Sequence, residues 1–117
     1  NNEPLTIVGD GGQRRDFTHV DDIVDGLYKV SLSNIKHNDA WELGTGINYS
    51  INEVCQMFKD KFKVESIHIK DQLGNYRQTL RKNDHALEIL DWKPQDRLLY
   101  YINKLTIDED KLCHNSL

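Results

Sequence analysis

The residues best suited to chemistry lie near the start of the chain, where two arginines follow a glycine-rich turn. The turn is Gly9-Asp10-Gly11-Gly12, and Arg15 comes shortly after it. Such a turn costs little because glycine readily adopts a positive φ angle. A guanidinium placed just beyond it can hold a phosphate or a carboxylate through two parallel hydrogen bonds. The alternative is a surface ion pair between Arg15 and Asp10 or Asp16, which is the common situation of exposed arginines.

The elements that must position Arg15 are predicted from the spacing of apolar residues. A short apolar strand precedes the turn, and a helix from Asp22 to Leu32 follows it. We expect Asp21 or Asp22 to cap this helix, because negative charge is favoured at a helix N-terminus. Gly26 lowers helix propensity, and a close packing contact would explain its presence. The predicted inward face has a helical spacing and consists of Ile23, Leu27 and Val30.

The rest of the chain is predicted as alternating strands and helices. Ser50 and Glu53 form a capping box that opens a helix to about Phe62, in which Cys55 is predicted to be a buried thiol. Trp92 is predicted to be a packing anchor. The other predicted elements are a strand over 40–46, a strand over 64–70, a helix over 83–90 and a helix over 97–105 capped by Asp96.

Composition excludes several classes of protein. The chain has 117 residues, of which 38% are hydrophobic and 29% charged, and its net charge is -4. This balance is typical of one small globular domain. The absence of a basic block argues against nucleic acid as a partner, and no apolar run reaches the roughly 20 residues of a membrane span. The spacing of the cysteines and histidines predicts no metal site and favours a reduced, cytoplasmic protein.

The stretch from Gly9 to Asp22 resembles a family signature. Its pattern, Gly-Asp-Gly-x-Gln-x-Arg-Asp-Phe-x-x-Val-x-Asp, is similar to the substrate-domain signature of the extended short-chain dehydrogenase/reductases. These are the NAD-dependent nucleotide-sugar epimerases and dehydratases. The resemblance implies that Arg15 contacts the diphosphate of a nucleotide sugar and that Phe17 lies beside the nucleotide.

A second loop, from Asp71 to Leu80, resembles the family segment R-x-G-[DE]-x-x-x-T. Gly74 and Thr79 match that pattern, but Gln72 stands where the family has its arginine. Asn75 stands where the family has an acid. A neutral Gln72 supplies no charge for a phosphate, so Arg77 is the candidate to replace it, with a solvated surface arginine as the alternative. Asn75 can still form a hydrogen bond with a ribose hydroxyl.

The family's catalytic and cofactor motifs are not found in this sequence. The resemblance implies a glycine fingerprint for NAD and a Tyr-x-x-x-Lys pair in which the lysine lowers the pKa of a tyrosine base. Only Tyr100 is followed by a lysine at this spacing, Lys104, and we interpret the match as chance. We therefore predict no catalytic residue and no cofactor-binding residue in this chain. We expect NAD to be bound by a missing N-terminal portion.

These observations predict a small mixed α/β substrate-binding domain, the C-terminal part of a Rossmann-type enzyme. The domain is expected over residues 1–105, followed by a polar tail over 106–117. The predicted function is nucleotide-sugar binding for an enzyme similar to UDP-glucose 4-epimerase, without catalysis by this chain alone. The alternatives are a domain of a dTDP- or GDP-sugar dehydratase and a non-catalytic module that keeps the fold. The family also implies a possible homodimer.

Overall fold

The α/β class is confirmed by a computed structural model, which describes residues 3–34 and 41–105. Helices and short strands alternate along these residues. The tail over 106–117 lies outside the described residues, as do residues 35–40. The elements are β1 (Leu5–Val8), β2 (Arg14–Arg15), α1 (Val20–Leu32), β3 (Tyr49–Ser50), α2 (Ile51–Phe62), β4 (Ser66–Ile69), α3 (His85–Leu90) and α4 (Leu98–Lys104).

Two small strand pairs hold the glycine-rich turn between them. β1 pairs in parallel with β4, with Leu5 opposite Ser66 and Val8 opposite Ile69. β2 pairs antiparallel with β3, and Arg14 also bridges to Gln78 in the parallel sense. β2 therefore lies between β3 on one side and the segment around Gln78 on the other. This pairing brings the second loop beside the arginines, although about 60 residues separate them in sequence.

Helix α2 forms as its capping box predicts. The Ser50 hydroxyl accepts a hydrogen bond from the Glu53 amide, and the Glu53 carboxylate accepts one from the Ser50 amide. These two bonds satisfy amide groups that a helix start leaves without a partner. Cys55 is buried on this helix and forms no disulfide. The predictions for the cap and for the buried thiol are confirmed.

Helix α1 differs from its prediction in both its cap and its buried face. His19 is the N-cap, and its Nδ1 accepts a hydrogen bond from the Asp21 amide at 3.0 Å. The predicted inward residue Leu27 is 57% exposed, whereas Asp22 and Gly26 are buried. The buried face instead carries the ion pair of Asp22 with Arg97 and the close approach of Gly26 to Trp92 and Leu43.

Trp92 is the centre of the core that positions α1. Its indole is 1% exposed, and its Nε1 donates a hydrogen bond to the Asp22 carbonyl oxygen at 2.7 Å. A Cβ atom on Gly26 would lie 3.1 Å from that Nε1 and 3.1 Å from a methyl carbon of Leu43. The contacts of a Cβ atom here would be tighter than most real contacts, so the indole or Leu43 would have to shift by a few tenths of an ångström. Both the packing role of Trp92 and the close contact at Gly26 are confirmed.

Two other sequence predictions are wrong in detail. Residues 41–46 of the predicted strand over 40–46 form no strand, because no backbone segment among the described residues pairs with them. Helix α4 begins at Leu98 without a cap from Asp96. The Asp96 carboxylate instead accepts a hydrogen bond from the Tyr49 hydroxyl. None of the helices in the described part of the chain is long and apolar enough to cross a membrane.

The pair between Asp22 and Arg97 predicts acid-sensitive stability. Burial opposes ionisation of the Asp22 carboxyl, but hydrogen bonds from Arg97 and Gln95 outweigh it and hold its pKa below the ordinary 3.8. The pair's contribution is fully present above that ordinary pKa and is lost as pH falls through the lower folded-state pKa. We expect Asp22→Asn to lower the urea midpoint at pH 7 and to flatten the loss of stability below about pH 4.

Asp25→Asn is the matched control, since Asp25 lies on the same helix in an exposed pair with Lys29. This variant should change the urea midpoint little, because exposed ion pairs add little stability. Equal effects of the two substitutions would contradict a structural role for the Asp22 pair.

Candidate anion-binding site

The glycine-rich turn is fixed by a side chain from α2. Gly9 and Gly11 have φ angles of 69° and 72°, in the region that favours glycine. Asn52 donates through its amide Nδ2 to the Asp10 carbonyl oxygen at 3.0 Å, and its backbone amide donates to the Gly11 carbonyl oxygen at 2.9 Å. The turn is therefore held against the start of α2, and this contact determines where β2 begins.

Arg15 is half-buried and is held by two uncharged acceptors. Its Nη1 donates to the Arg14 carbonyl oxygen at 2.8 Å, and its Nη2 donates to Asn75 Oδ1 at 2.7 Å. The surface alternative, an ion pair with Asp10 or Asp16, is not what the structure contains. Both of those carboxylates bind other groups, so the positive charge of Arg15 has no counter-charge among these partners.

The second loop is tied to β2 by its backbone and to the glycine-rich turn by the Arg77 side chain. Thr79 donates its amide to the Arg14 carbonyl oxygen at 2.9 Å, and the Arg14 amide donates to the Arg77 carbonyl oxygen at 2.8 Å. Arg77 Nη1 binds Asp10 Oδ1 at 2.7 Å, with the two side chains 68% and 66% exposed. The hydrogen bond from Arg77 lowers the pKa of the Asp10 carboxyl. Arg77 is thus exposed, as in the solvated alternative, but it is paired with Asp10 rather than free in solvent.

Phe17 lines a cavity of about 500 Å³ between the end of β2 and helices α1 and α4. This size is within the usual range of ligand pockets. Its lining surface is mostly apolar and includes Val20, Leu98 and Tyr101 besides Phe17. Arg15 ends β2, and Phe17 follows it by two residues. Arg15 itself does not line this cavity.

Asp16 fixes the segment between Arg15 and Phe17. Its carboxylate accepts hydrogen bonds from the amide and hydroxyl of Thr45, the amide of Gly46 and the hydroxyl of Thr18, at 2.7–3.1 Å. Burial opposes its ionisation, but these four donors outweigh burial and lower the pKa of the Asp16 carboxyl. Asp16 is therefore an ionised structural group that ties the site to the loop before β3.

Tyr49 lies on β3 next to β2 and does not have the environment of a general base. The bond to Asp96 raises the pKa of Tyr49 to about 12, which favours the protonated phenol. At Tyr100, the Lys104 ammonium lies over the face of the ring, 4.3 Å from its centroid. This cation–π geometry directs the ammonium to the ring face rather than to the hydroxyl oxygen. The interpretation of that sequence match as chance stays a prediction.

The described residues do not fit the pyrophosphate of NAD. Dinucleotide-binding folds place that pyrophosphate on a glycine-rich turn that opens directly into a helix. Here the turn leads into β2, and α1 begins only at Val20. The space above Gly12 is also filled, because a Cβ atom there would lie 2.5 Å from Arg77 Nη2. Nor do three potential metal ligands cluster anywhere in residues 3–34 or 41–105.

Comparisons with known proteins agree with the resemblance seen in the signature. The sequence model of the NAD dependent epimerase/dehydratase family matches residues 1–44. UDP-glucose 4-epimerase of Mycolicibacterium smegmatis is 30% identical over 100 residues, covering 84% of this chain and 32% of that protein. This chain belongs to the NAD-dependent epimerase/dehydratase family. UDP-glucuronic acid decarboxylase 1 of Danio rerio is 34% identical over 108 residues, covering 87% of this chain and 24% of that protein.

The fold of the family is shared as well. UDP-glucuronic acid 4-epimerase from Bacillus cereus, solved with UDP-glucuronic acid and NAD, superposes with a TM-score of 0.79 and 26% identity. That match covers 86% of this chain and 33% of the solved chain. The chain thus spans about a third or less of the relatives it matches, and their whole-protein activities are proposals for it.

The sequence predicts that Arg15, Phe17, Asn75 and Arg77 share one region. In the structure, Arg15, Asn75 and Arg77 lie at the contact between β2 and the second loop. Arg15 contacts Asn75 directly, and Arg77 lies two residues further along the same loop. The residues that sequence reasoning missed are partners: Asp10 for Arg77, Asn52 for the turn, and Asp16 for the 45–46 loop. Of these three, only Asp10 is indicated as an ion-pair partner by the sequence, and the sequence suggests Arg15 rather than Arg77 as its partner.

Proposed function

We propose that this chain binds the diphosphate of a nucleotide sugar at Arg15, in an enzyme similar to UDP-glucose 4-epimerase. The observation that carries the proposal is the half-buried guanidinium held by two neutral acceptors beside a rigid glycine turn. Because both acceptors of Arg15 among the described residues are uncharged, its charge is suited to a phosphate ligand. Phe17 lies beside the nucleotide in this proposal, and Asn75 and Arg77 complete the site from the facing loop.

The task of the chain in this proposal is positioning rather than redox chemistry. Holding the diphosphate orients the attached sugar. In enzymes, orientation of reactants lowers the activation barrier by several kcal/mol, and the largest reductions reach roughly 7–11 kcal/mol. The residues described here do not fit NAD, so we assign the cofactor and the catalytic base to a portion of the enzyme outside this chain. A cytoplasmic location and a homodimer formed by that portion belong to the same proposal.

The names of the relatives favour uracil as the base of the nucleotide. The two curated relatives above act on UDP-sugars by name, and the Bacillus cereus structure contains a UDP-sugar. The decarboxylase among them supports UDP-glucuronate decarboxylation as a second candidate reaction. A dTDP- or GDP-sugar dehydratase and a non-catalytic module remain as the further alternatives from the sequence.

Titration calorimetry of this chain with UDP, dTDP and GDP tests the proposal. We expect UDP to bind more tightly than either of the other two nucleotides. A preference for dTDP or GDP would favour the dehydratase alternative, and binding of none would favour the non-catalytic module. Turnover of UDP-glucose with added NAD by this chain alone would contradict its assignment as a binding portion.

A further inference from the structure

His19 caps helix α1 with a ring nitrogen, which is an unusual group at this position. Its Nδ1 accepts a hydrogen bond from the Asp21 amide at 3.0 Å, and its carbonyl oxygen accepts bonds from the Asp22 and Ile23 amides. Most helix caps use a side-chain oxygen, which accepts hydrogen bonds at any pH near neutral. An imidazole nitrogen accepts a hydrogen bond only while it carries no proton. The side-chain cap of α1 is therefore sensitive to proton binding, whereas the backbone bonds at His19 are not.

Charged groups face the His19 ring from each element packed around it. On its own helix, the exposed Asp21 places Oδ2 3.7 Å from Nδ1. From α4, Arg97 lines the same cavity as His19, but the Asp22 carboxylate pairs with that guanidinium. Asp16, directly after β2, also lines the cavity, and four hydrogen-bond donors bind its carboxylate. Asp21 therefore offers the acceptor for a protonated ring.

Tyr101 holds the His19 ring at the start of the helix. The two ring centroids lie 5.8 Å apart, and the ring planes meet at 68°. This geometry suits two neutral aromatic rings, and the face of a tyrosine also attracts a cation within about 6 Å. The His19 side chain is only 24% exposed. The contact with Tyr101 is therefore compatible with both charge states of the ring, and the atom that changes its role is Nδ1.

His68 provides the opposite case in the same chain. Its Nδ1 lies 2.8 Å from the Gly9 carbonyl oxygen. Because a carbonyl oxygen only accepts hydrogen bonds, Nδ1 of His68 must carry a proton in this contact. A second proton then binds the other ring nitrogen and leaves the bond to Gly9 in place. Of these two histidines, His19 is the one that loses a hydrogen bond on protonation.

We propose that His19 is a proton-sensitive switch at the start of α1. In the neutral ring, Nε2 carries the proton and Nδ1 caps the Asp21 amide. On protonation, Nδ1 gains a proton and donates to the Asp21 carboxylate, and the Asp21 amide loses its acceptor. Because His19 and Phe17 line the same cavity, the switch lies in the wall of that cavity. This inference does not depend on nucleotide-sugar binding.

NMR titration of this chain between about pH 8 and about pH 5, where histidines ordinarily change charge, tests the switch. The two readouts are the His19 ring nitrogens and the Asp21 amide proton. We expect the neutral His19 ring to carry its proton on Nε2. We also expect the Asp21 amide proton to move upfield on acidification, because it loses a hydrogen bond, with the same midpoint as the ring. The ion pair of Asp22 does not contribute in this range, because it is lost only at lower pH.

Three variants separate the switch from other titrations. His19→Asn keeps a capping oxygen that does not titrate, so the Asp21 amide proton should stay in place over this pH range. Asp21→Asn removes the acceptor of the protonated ring, so proton binding by His19 should weaken about threefold. His68→Asn is the matched control, because the hydrogen bond of His68 survives protonation. This control should leave the titration of the Asp21 amide unchanged.

Two results would overturn the inference. One is a neutral His19 ring that carries its proton on Nδ1, since such a ring cannot cap the helix. The other is an Asp21 amide proton that behaves equally in the wild type and in His19→Asn. Circular dichroism at each pH checks that the helix content is kept, so that the amide shift reports the cap rather than unfolding.

Discussion

Replacing Trp92 with alanine should lower the free energy of unfolding by about 3–5 kcal/mol, the usual range for large aromatic residues in cores. The indole is almost fully buried and contacts the helix at Gly26, which has no side chain to move into the space left behind. Its Nε1 also satisfies the Asp22 carbonyl oxygen. The variant therefore loses packing, leaves a cavity and removes a buried hydrogen bond at once.

Urea denaturation followed by circular dichroism measures this loss without depending on the tryptophan signal. Trp92→Phe is the matched control, because it keeps an aromatic ring and removes the indole donor. We expect a smaller loss for Trp92→Phe than for Trp92→Ala. If Trp92→Ala lowered the free energy of unfolding by less than about 1 kcal/mol, Trp92 would not be the centre of the core.

Replacing Gly11 with alanine is the second change with a large expected effect. Gly11 has a φ angle of 72°, where a residue with a Cβ atom costs about 1–2 kcal/mol. The added Cβ would also lie 2.7 Å from Asn52 Cγ and 2.8 Å from Ile7 Cγ2. Relieving that overlap must displace Asn52, which holds the turn, or β1, and overpacking of this kind costs about 1–3 kcal/mol.

Gly74→Ala is the matched control for Gly11→Ala. Gly74 has a φ angle of 83°, but nothing lies within 4 Å of the Cβ position. Alanine there should carry only the backbone cost. Equal losses of stability in urea for the two variants would show that the contact between the turn and Asn52 contributes nothing.

Local patterns predicted the elements whose determinants are close in sequence. The Ser50 and Glu53 box, the β1 strand and the buried Cys55 follow from neighbours within one helical turn or one strand. The buried face of α1 does not, because it depends on Arg97, which is 75 residues from Asp22 in sequence. Apolar periodicity predicts that Leu27 points inward, but Leu27 is exposed and the buried face carries Asp22, paired with Arg97.

The candidate site likewise has one part that is predictable from neighbouring residues and another part that depends on residues distant in sequence. The position of Arg15 beside a glycine-rich turn was predictable, because the turn and the arginine are adjacent in sequence. Its hydrogen-bond partner Asn75 was not, since 60 residues separate the two and no local pattern sets their distance. The pairing of Asp10 with Arg77 depends on the parallel bridge between Arg14 and Gln78, a feature of topology rather than of composition.

Titration of the wild-type chain and of Arg15→Ala with UDP tests the central claim most directly. Lys61→Ala removes the same charge from an exposed position on α2 and is the control. The account predicts UDP binding that falls about 10- to 100-fold in Arg15→Ala, as for the loss of a charge-assisted hydrogen bond, and that is unchanged in Lys61→Ala. Equal UDP affinity in Arg15→Ala and the wild type would contradict it.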